Sequence, residues 1–278
     1  MNSRICIDIT AHVAHVSLAR PGKLNSLDSA TFGELVEAGE ELRQRSDVRA
    51  IVLSGQGASF CAGLDASFFR TITQTGGLGP KGPTLDKPLR ERTHGSSNRA
   101  QRAATVWTDC RVPVIAAIQG HCYGGGLQVA LGADFRLVRP DARLSVMEVR
   151  WGLVPDMGLF VLARDLVRPD VLAELVYTGR QFSGEEAVRL GVASRTCDDP
   201  VSAALTLASE IARRSPHAVR AAKRLLGLTG TADNPGILLQ ESLEQERLIG
   251  SANQIEAIRS EIDKRDAIFI DDRGGCEQ

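Results

Sequence analysis

Three things are scarce in this 278-residue sequence: surplus charge of one sign, long apolar runs and paired cysteines. Lys plus Arg number 33 against 34 Asp plus Glu, a formal net charge of -1. With no basic excess to neutralise a phosphate backbone, nucleic acid is not expected as a main partner. The longest apolar run, Val112 to Ile118, is far short of the roughly 20 residues that span a bilayer, so no membrane partner is expected either. Near the start, Ile5, Ile7 and Ile9 alternate with polar neighbours. That is a strand pattern, and it lacks a signal peptide's apolar segment. Cys6, Cys61, Cys110, Cys122, Cys197 and Cys276 show no CxxC pairing, and a chain of this size needs no disulfide staples. A reducing, cytoplasmic setting and no metal site are the expectations.

What is present suits a large core. Hydrophobic residues make up 43% and charged residues 24%, near the globular average and far from disorder. Ile5, Ile7, Ile9 and then Ala14, Val16, Leu18 form two period-2 segments, the pattern of an antiparallel hairpin. Phe32, Leu35, Val36 and Leu42 recur at helical spacing, with Asp28 or Ser29 available as N-cap. Ala50 to Ser54 reads as a buried strand. The order then repeats: strand at 112–118, helix at 124–131, strand at 135–138. Between them, residues 71–98 hold Gly76, Gly77, Gly79, Pro80, Gly82, Pro83 and Pro88 and read as a mobile loop. From about Pro155 the strand signal gives way to helical spacing, with Pro169, Pro200, Pro216 and Pro235 where helices should begin. The expected division is a core over 1–195, a helical region over 196–270 and a polar tail over 271–278.

Two glycine-containing turns follow buried strands: Ser59-Phe60-Cys61-Ala62-Gly63-Leu64-Asp65 and His121-Cys122-Tyr123-Gly124-Gly125-Gly126-Leu127-Gln128. Such turns expose backbone N–H groups that suit an anion. Neither matches GxxxxGK[ST] or GxGxxG, so nucleotide readings are weak. Taken alone, either turn reads as glycine permitting a tight bend.

Together these segments resemble the crotonase superfamily, also called the enoyl-CoA hydratase/isomerase family. The resemblance runs from Arg20-Pro21-Gly22-Lys23-Leu24-Asn25-Ser26-Leu27 through both glycine turns to Glu148-Val149-Arg150-Trp151-Gly152-Leu153-Val154-Pro155, Thr178-Gly179-Arg180 and Glu185-Glu186-Ala187-Val188-Arg189-Leu190-Gly191-Val192. It implies an α/β fold, a crotonase-like ββα superhelix with a helical C-terminal trimerisation region. It also implies an acyl-CoA thioester substrate of fatty-acid metabolism, coenzyme A being part of the substrate and no separate cofactor being needed. A homotrimer or dimer of trimers is implied as the assembly. By the same resemblance, backbone N–H groups at Leu64 and Gly125 form an oxyanion hole. Leu24, Ala62, Gly63, Asp65 and Gly124 match positions along the substrate and CoA path, although Asp65 reads equally well as a turn-stabilising carboxylate.

The acid/base positions decide the chemistry. Family hydratases hold water between two glutamates; Glu148 matches the second, while the first falls on Gln128. An amide orients water but neither accepts nor releases a proton near neutral pH. A double-bond shift needs one base that removes a proton and returns it elsewhere, and Glu148 suffices as that shuttle. Asp156 adds a second candidate: acids at this position occur in dienoyl-CoA isomerases, and an aspartate here is the nucleophile of aroyl-CoA dehalogenases, which have tryptophan in place of Glu148. The competing reading of Asp156 is an N-cap for a helix beginning near Met157. Isomerisation is therefore expected first, hydration with Gln128 orienting water second, and a catalytically silent acyl-CoA-binding scaffold third. Of the remaining polar residues, His12 and His15 are expected on opposite faces of one strand. His121 is expected to pack beside its loop, Arg150 and Trp151 to pack or pair near the pocket wall, and Lys223 and Lys264 to be candidate contacts for CoA phosphates or solvated helix faces.

Overall fold

Alternating residues of the central strands feed two separate cores, and this sandwich explains where the functional turns emerge. The computed structural model describes residues 3–76, 88–230 and 232–271. Within them the chain forms β1 (Ile5–Thr10), β2 (Val13–Leu18), α1 (Ser29–Gln44), β3 (Ala50–Gly55), α2 (Ala66–Thr75), α3 (Arg99–Thr105), β4 (Val114–Ile118), β5 (His121–Tyr123), α4 (Gly125–Leu131), β6 (Phe135–Val138) and β7 (Arg143–Ser145). A 3-10 turn (Glu148–Trp151) leads to α5 (Leu159–Leu162), α6 (Pro169–Thr178), β8 (Phe182–Ser183), α7 (Gly184–Arg189), β9 (Arg195–Thr196), α8 (Pro200–Ala212), α9 (Pro216–Leu228), α10 (Asn234–Leu248) and α11 (Ala252–Asp263).

The larger sheet has the order β1-β2-β3-β4-β6-β9, antiparallel between β1 and β2 and parallel beyond. A smaller sheet, β5-β7-β8, lies beside it. Successive side chains of a strand point to opposite faces. Accordingly Ile51, Leu53, Val114, Ala116 and Ile118 join the core beneath α1, α3 and α4, whereas Ala50, Val52, Ile115 and Ala117 meet Ala204, Ala208 and Ala212 of α8. Alanine at every fourth position of α8 lets that helix close on the sheet. The boundary at 195/196 therefore marks a change of sequence pattern and not of packing, since α8 completes the N-terminal core.

The hairpin, the Asp28 N-cap of α1 and the prolines in the first turns of α6, α8, α9 and α10 agree with expectation. Several other expectations need correction. Residues 71–75 finish α2, because Asp65 caps that helix and Phe68 anchors it in the core; the 88–98 stretch turns and ends in Asn98, N-cap of α3. The glycine-rich 77–87 part of the expected loop lies outside the described residues. The C-terminal third is not wholly helical: β8 and β9 pair at the edges of the two sheets, too short at two residues each to show a period-2 signal. His12 sits in the hairpin turn at φ 67°, so no strand carries both histidines. Asp271 is anchored by Arg49, and residues 272–278 lie outside the described residues.

Candidate active site

The segment after β3 is held between two others. On one side Ala62 N–H donates to Leu24 O (2.9 Å), Leu27 N–H to Gly63 O (2.8 Å) and Asp65 N–H to Leu27 O (3.0 Å). On the other, Cys61 pairs with Cys122 as in a parallel ladder, through Cys61 N–H to His121 O and Tyr123 N–H to Cys61 O, both 2.9 Å. This contact brings the two glycine turns together. Gly63, at φ 84°, leaves no room for a side chain, since a Cβ there would lie 2.9 Å from Tyr123 O. A Cβ on Gly126 would lie 2.6 Å from that of Cys61. The glycines thus permit close approach between turns as well as the bends themselves.

In a parallel bridge centred on Leu64, the Gly63 carbonyl and Asp65 N–H face Leu27 while the Leu64 N–H faces away from it. The next N–H, that of Asp65, is engaged by Leu27 O. Among the described hydrogen bonds, neither Leu64 N–H nor Gly125 N–H donates to a protein acceptor. Gly124 N–H, by contrast, donates to Ser145 O at 2.9 Å. Leu27 and Met157 crowd the Gly125 backbone, giving these donors an apolar surround.

Glu148 leads the 3-10 turn after β7 and is 9% exposed. Its Oε1 accepts from Gln128 Nε2 at 2.7 Å, while Oε2 is buried without a hydrogen-bond partner. A Cβ on Gly124 would lie 3.2 Å from that Oε1, so the carboxylate abuts the turn whose next residue is Gly125. Burial pushes the Glu148 carboxyl above its ordinary range; the residue's own backbone N–H and then the Gln128 hydrogen bond oppose this, and the negative charge of Asp156 adds to it. Asp156 is reached by solvent, yet the protein around it also raises its carboxyl by desolvation.

The cap reading of Asp156 is overturned. Gly158 is the N-cap of α5 and makes no side-chain cap bond. The donors there go to Gln128 Oε1, from Met157 N–H at 2.8 Å and Leu159 N–H at 3.1 Å. Gln128 is 1% exposed and has both acceptor lone pairs occupied. As an acceptor for water it is unavailable, which corrects the role expected for it in hydration.

Asp65 is likewise structural. Its Oδ1 accepts from Ser67 N–H, capping α2, and Oδ2 accepts from Arg20 Nη2 (3.0 Å) and Ser26 Oγ (3.1 Å). Burial alone would raise this carboxyl, but the Ser67, Arg20 and Ser26 bonds outweigh it and hold it far below the usual carboxylate range. Leu24 is exposed and Ala62 half-buried, at the rim expected of a substrate path. Lys223 binds Val112 O and Asp134, both at 2.8 Å, and so tethers α9 to the start of β4. His121 bonds Ser59 Oγ, while the Arg150 stem packs on Gly179.

Sequence reasoning missed two features. Asn25, 1% exposed, donates to Gln56 O and Ser59 O and so anchors the first turn; its signal lay in the Arg20-Pro21-Gly22-Lys23-Leu24 motif before it. Trp151 stacks on Phe69, with centroids 4.4 Å apart, joining the 3-10 turn to α2; nothing in the spacing pairs residues 82 positions apart. A polar cavity of about 300 Å³ beside Arg213, Ser260 and Phe269 contains none of these groups.

Comparison with known proteins follows the same lines. The family described as enoyl-CoA hydratase/isomerase matches residues 8–271. The chain is 32% identical over 268 residues to the mitochondrial Delta(3,5)-Delta(2,4)-dienoyl-CoA isomerase of Rattus norvegicus, covering 93% of this chain and 79% of that one. It is 35% identical over 220 residues to the peroxisomal protein of that name from Arabidopsis thaliana, 77% of each chain being covered. The crystal structure of an enoyl-CoA hydratase from Bacillus anthracis superposes with a TM-score of 0.83 at 27% identity, over 96% of this chain and 98% of that one.

Proposed function

The chain belongs to the enoyl-CoA hydratase/isomerase family, and from that premise we propose that it shifts double bonds in an unsaturated, preferentially dienoyl, acyl-CoA thioester. The observation that carries this reading is the division of labour among three side chains. Glu148 and Asp156 are two carboxylates whose proton affinity burial raises, the charge of Asp156 adding to the effect on Glu148, while Gln128, at the place of a hydratase's other carboxylate, is occupied by Glu148 and α5.

The thioester carbonyl accepts from Leu64 N–H and Gly125 N–H. Charge developing on that oxygen is stabilised by donors already in place, each typically worth about 2.7 to 4 kcal/mol of barrier. Glu148, against Gly124, lies beside the carbon next to the carbonyl and removes its proton. The electron pair moves into the carbonyl as an enolate conjugated with the remaining double bonds. Asp156, farther along the cleft and open to solvent, returns a proton at the distal end. One proton leaves and one is added, so no water is consumed, and exchange between the carboxyls and solvent resets the pair. Raised proton affinity suits both roles, because each group must hold a proton in part of the cycle. Hydration would need a second carboxylate on water where Gln128 offers only an N–H. The scaffold reading leaves a buried carboxylate oxygen without a purpose.

The test is incubation with a 3,5-dienoyl-CoA, a 3-enoyl-CoA and a 2-enoyl-CoA, followed by the absorbance of the conjugated thioester. A rise on the first two is expected. Loss of absorbance on the third, with none gained on the others, would establish a hydratase instead, and silence on all three would support the scaffold. A trimer or dimer of trimers is part of this proposal, supported by exposed apolar side chains such as Tyr177, Leu238 and Ile262 on the C-terminal helices. Light scattering that reports a single-chain mass at micromolar concentration would contradict it.

A further inference from the structure

We infer that Gln128 is a positioning residue: one end of its buried amide fixes the Glu148 carboxylate, the other fixes the start of α5 and with it Asp156, so that one side chain sets the relation of the two carboxylates. This inference rests on the proposed function, and it gives Gln128 a role other than that of a weakened hydratase acid. An amide has one oxygen with two lone pairs and one nitrogen with two N–H groups. Here the oxygen serves Met157 N–H and Leu159 N–H, and the nitrogen serves Glu148 Oε1. The site asks for a double acceptor and a donor within one side chain, out of contact with water. Glutamate supplies the acceptor but, when ionised, turns a negative oxygen towards Glu148; leucine supplies neither. Glutamine alone of these three meets both demands.

The platform is closely packed: a Cβ on Gly126 of α4 would collide with Cys61, and one on Gly125 with Leu27 and Met157. The charged neighbour acting on Glu148 is Asp156. α4 carries no ionisable side chain. In β5, His121 bonds Ser59, burial pushes the Cys122 thiol well up, and Tyr123 carries the remaining titratable group. β7 brings Arg143 and the 3-10 turn Arg150, both of which act on Tyr123. α6, packed on this turn, carries Asp170 and Glu174, paired with Arg168 and Arg180. The Gln128 N–H is therefore the direct hydrogen-bonding influence on Glu148 that a substitution can remove without altering another charge.

The experiment compares Gln128→Leu and Gln128→Glu with the native chain. It reads kcat and KM separately, the pH profile of kcat/KM, and the Glu148 carboxyl titration by infrared difference spectroscopy, assigned by its loss in Glu148→Gln. In Gln128→Leu the Glu148 titration and the acid limb of the rate should both rise by about one pH unit, the share of one lost charge-assisted hydrogen bond. kcat should fall by about 100-fold, the cost of misplacing a reacting group by about 1 Å, with KM nearly unchanged. Gln128→Glu keeps the acceptor for α5, so it should regain activity only at low pH, where a proton on residue 128 is donated to Glu148. An unmoved Glu148 titration in Gln128→Leu, or identical pH profiles for the two variants, would overturn the inference. A shifted titration with an unshifted rate profile would uphold the positioning of Glu148 and overturn its assignment as the base, so the two failures are distinguishable.

Discussion

The two halves of the site are built on opposite principles. At Leu64 and Gly125 the proposed chemistry belongs to the main chain. The side chains there matter through the backbone shape they permit, which is why Gly63 and Gly126 press against Tyr123 and Cys61. At Gln128, Glu148 and Asp156 the chemistry belongs to side chains, and a change of one atom type alters it. A backbone-built half should therefore tolerate conservative substitution and fail on removal of an N–H, and a side-chain-built half should behave in the reverse way.

The largest effect is expected on the side-chain half. Glu148→Gln should lower kcat by about 100- to 10,000-fold, the usual contribution of a proton-transfer residue, while acyl-CoA binding by calorimetry stays close to native. Turnover near native on a good substrate would remove Glu148 from the mechanism. Next, Leu64→Pro deletes the proposed donor and should lower kcat by about 100- to 1,000-fold, whereas Leu64→Ala should cost only a few-fold. Equal losses in the two variants would erase the distinction between the halves.

Asp156→Asn sharpens the comparison through pH. Asp156 pushes the Glu148 carboxyl upward, and Glu148 works as a base, so activity fails as pH drops through its raised value. Removing the Asp156 charge should move the Glu148 carboxyl titration, read by infrared difference spectroscopy, to lower pH, while distal protonation of a dienoyl substrate slows. A Glu148 titration that stays in place or rises would contradict the coupling. The smallest effect concerns scaffolding: Asp65→Ala should cost about 1 kcal/mol of stability in urea unfolding, the usual worth of an N-cap, with kcat little changed. Because the folded state holds this carboxyl below its unfolded value, its contribution is present above about pH 4 and is lost as pH falls through the folded-state value. The native–variant stability difference should therefore shrink in acid; a difference independent of pH would mean that the Arg20 pairing contributes nothing.

Much of this was legible in one chain because the signals were local. Alternation along β1 and β2, proline at four helix starts and the glycine turns each follow from a few adjacent residues. Glu148 and Asp156 stood out because they match acidic positions of the family that the sequence resembles. Asp156 as a cap, Gln128 as a water holder and residues 71–75 as loop were misread for one reason: each depended on a partner distant in sequence. The donors at 157 and 159 find Gln128 thirty residues upstream, and α2 is fixed by Arg20 and Ser26 acting on its cap.

The sequence by itself carried the family resemblance, the two glycine turns and the candidate acids, since motif order, backbone shape and proton chemistry are properties of residue type and near neighbours. Only the tertiary structure decided what Gln128 does, that Asp65 is consumed by scaffolding and that Glu148 keeps one carboxylate oxygen buried and unpaired. Hydrogen-bond capacity is fixed by the residue, but which partner takes it is settled by packing, where every buried donor and acceptor competes for a short supply.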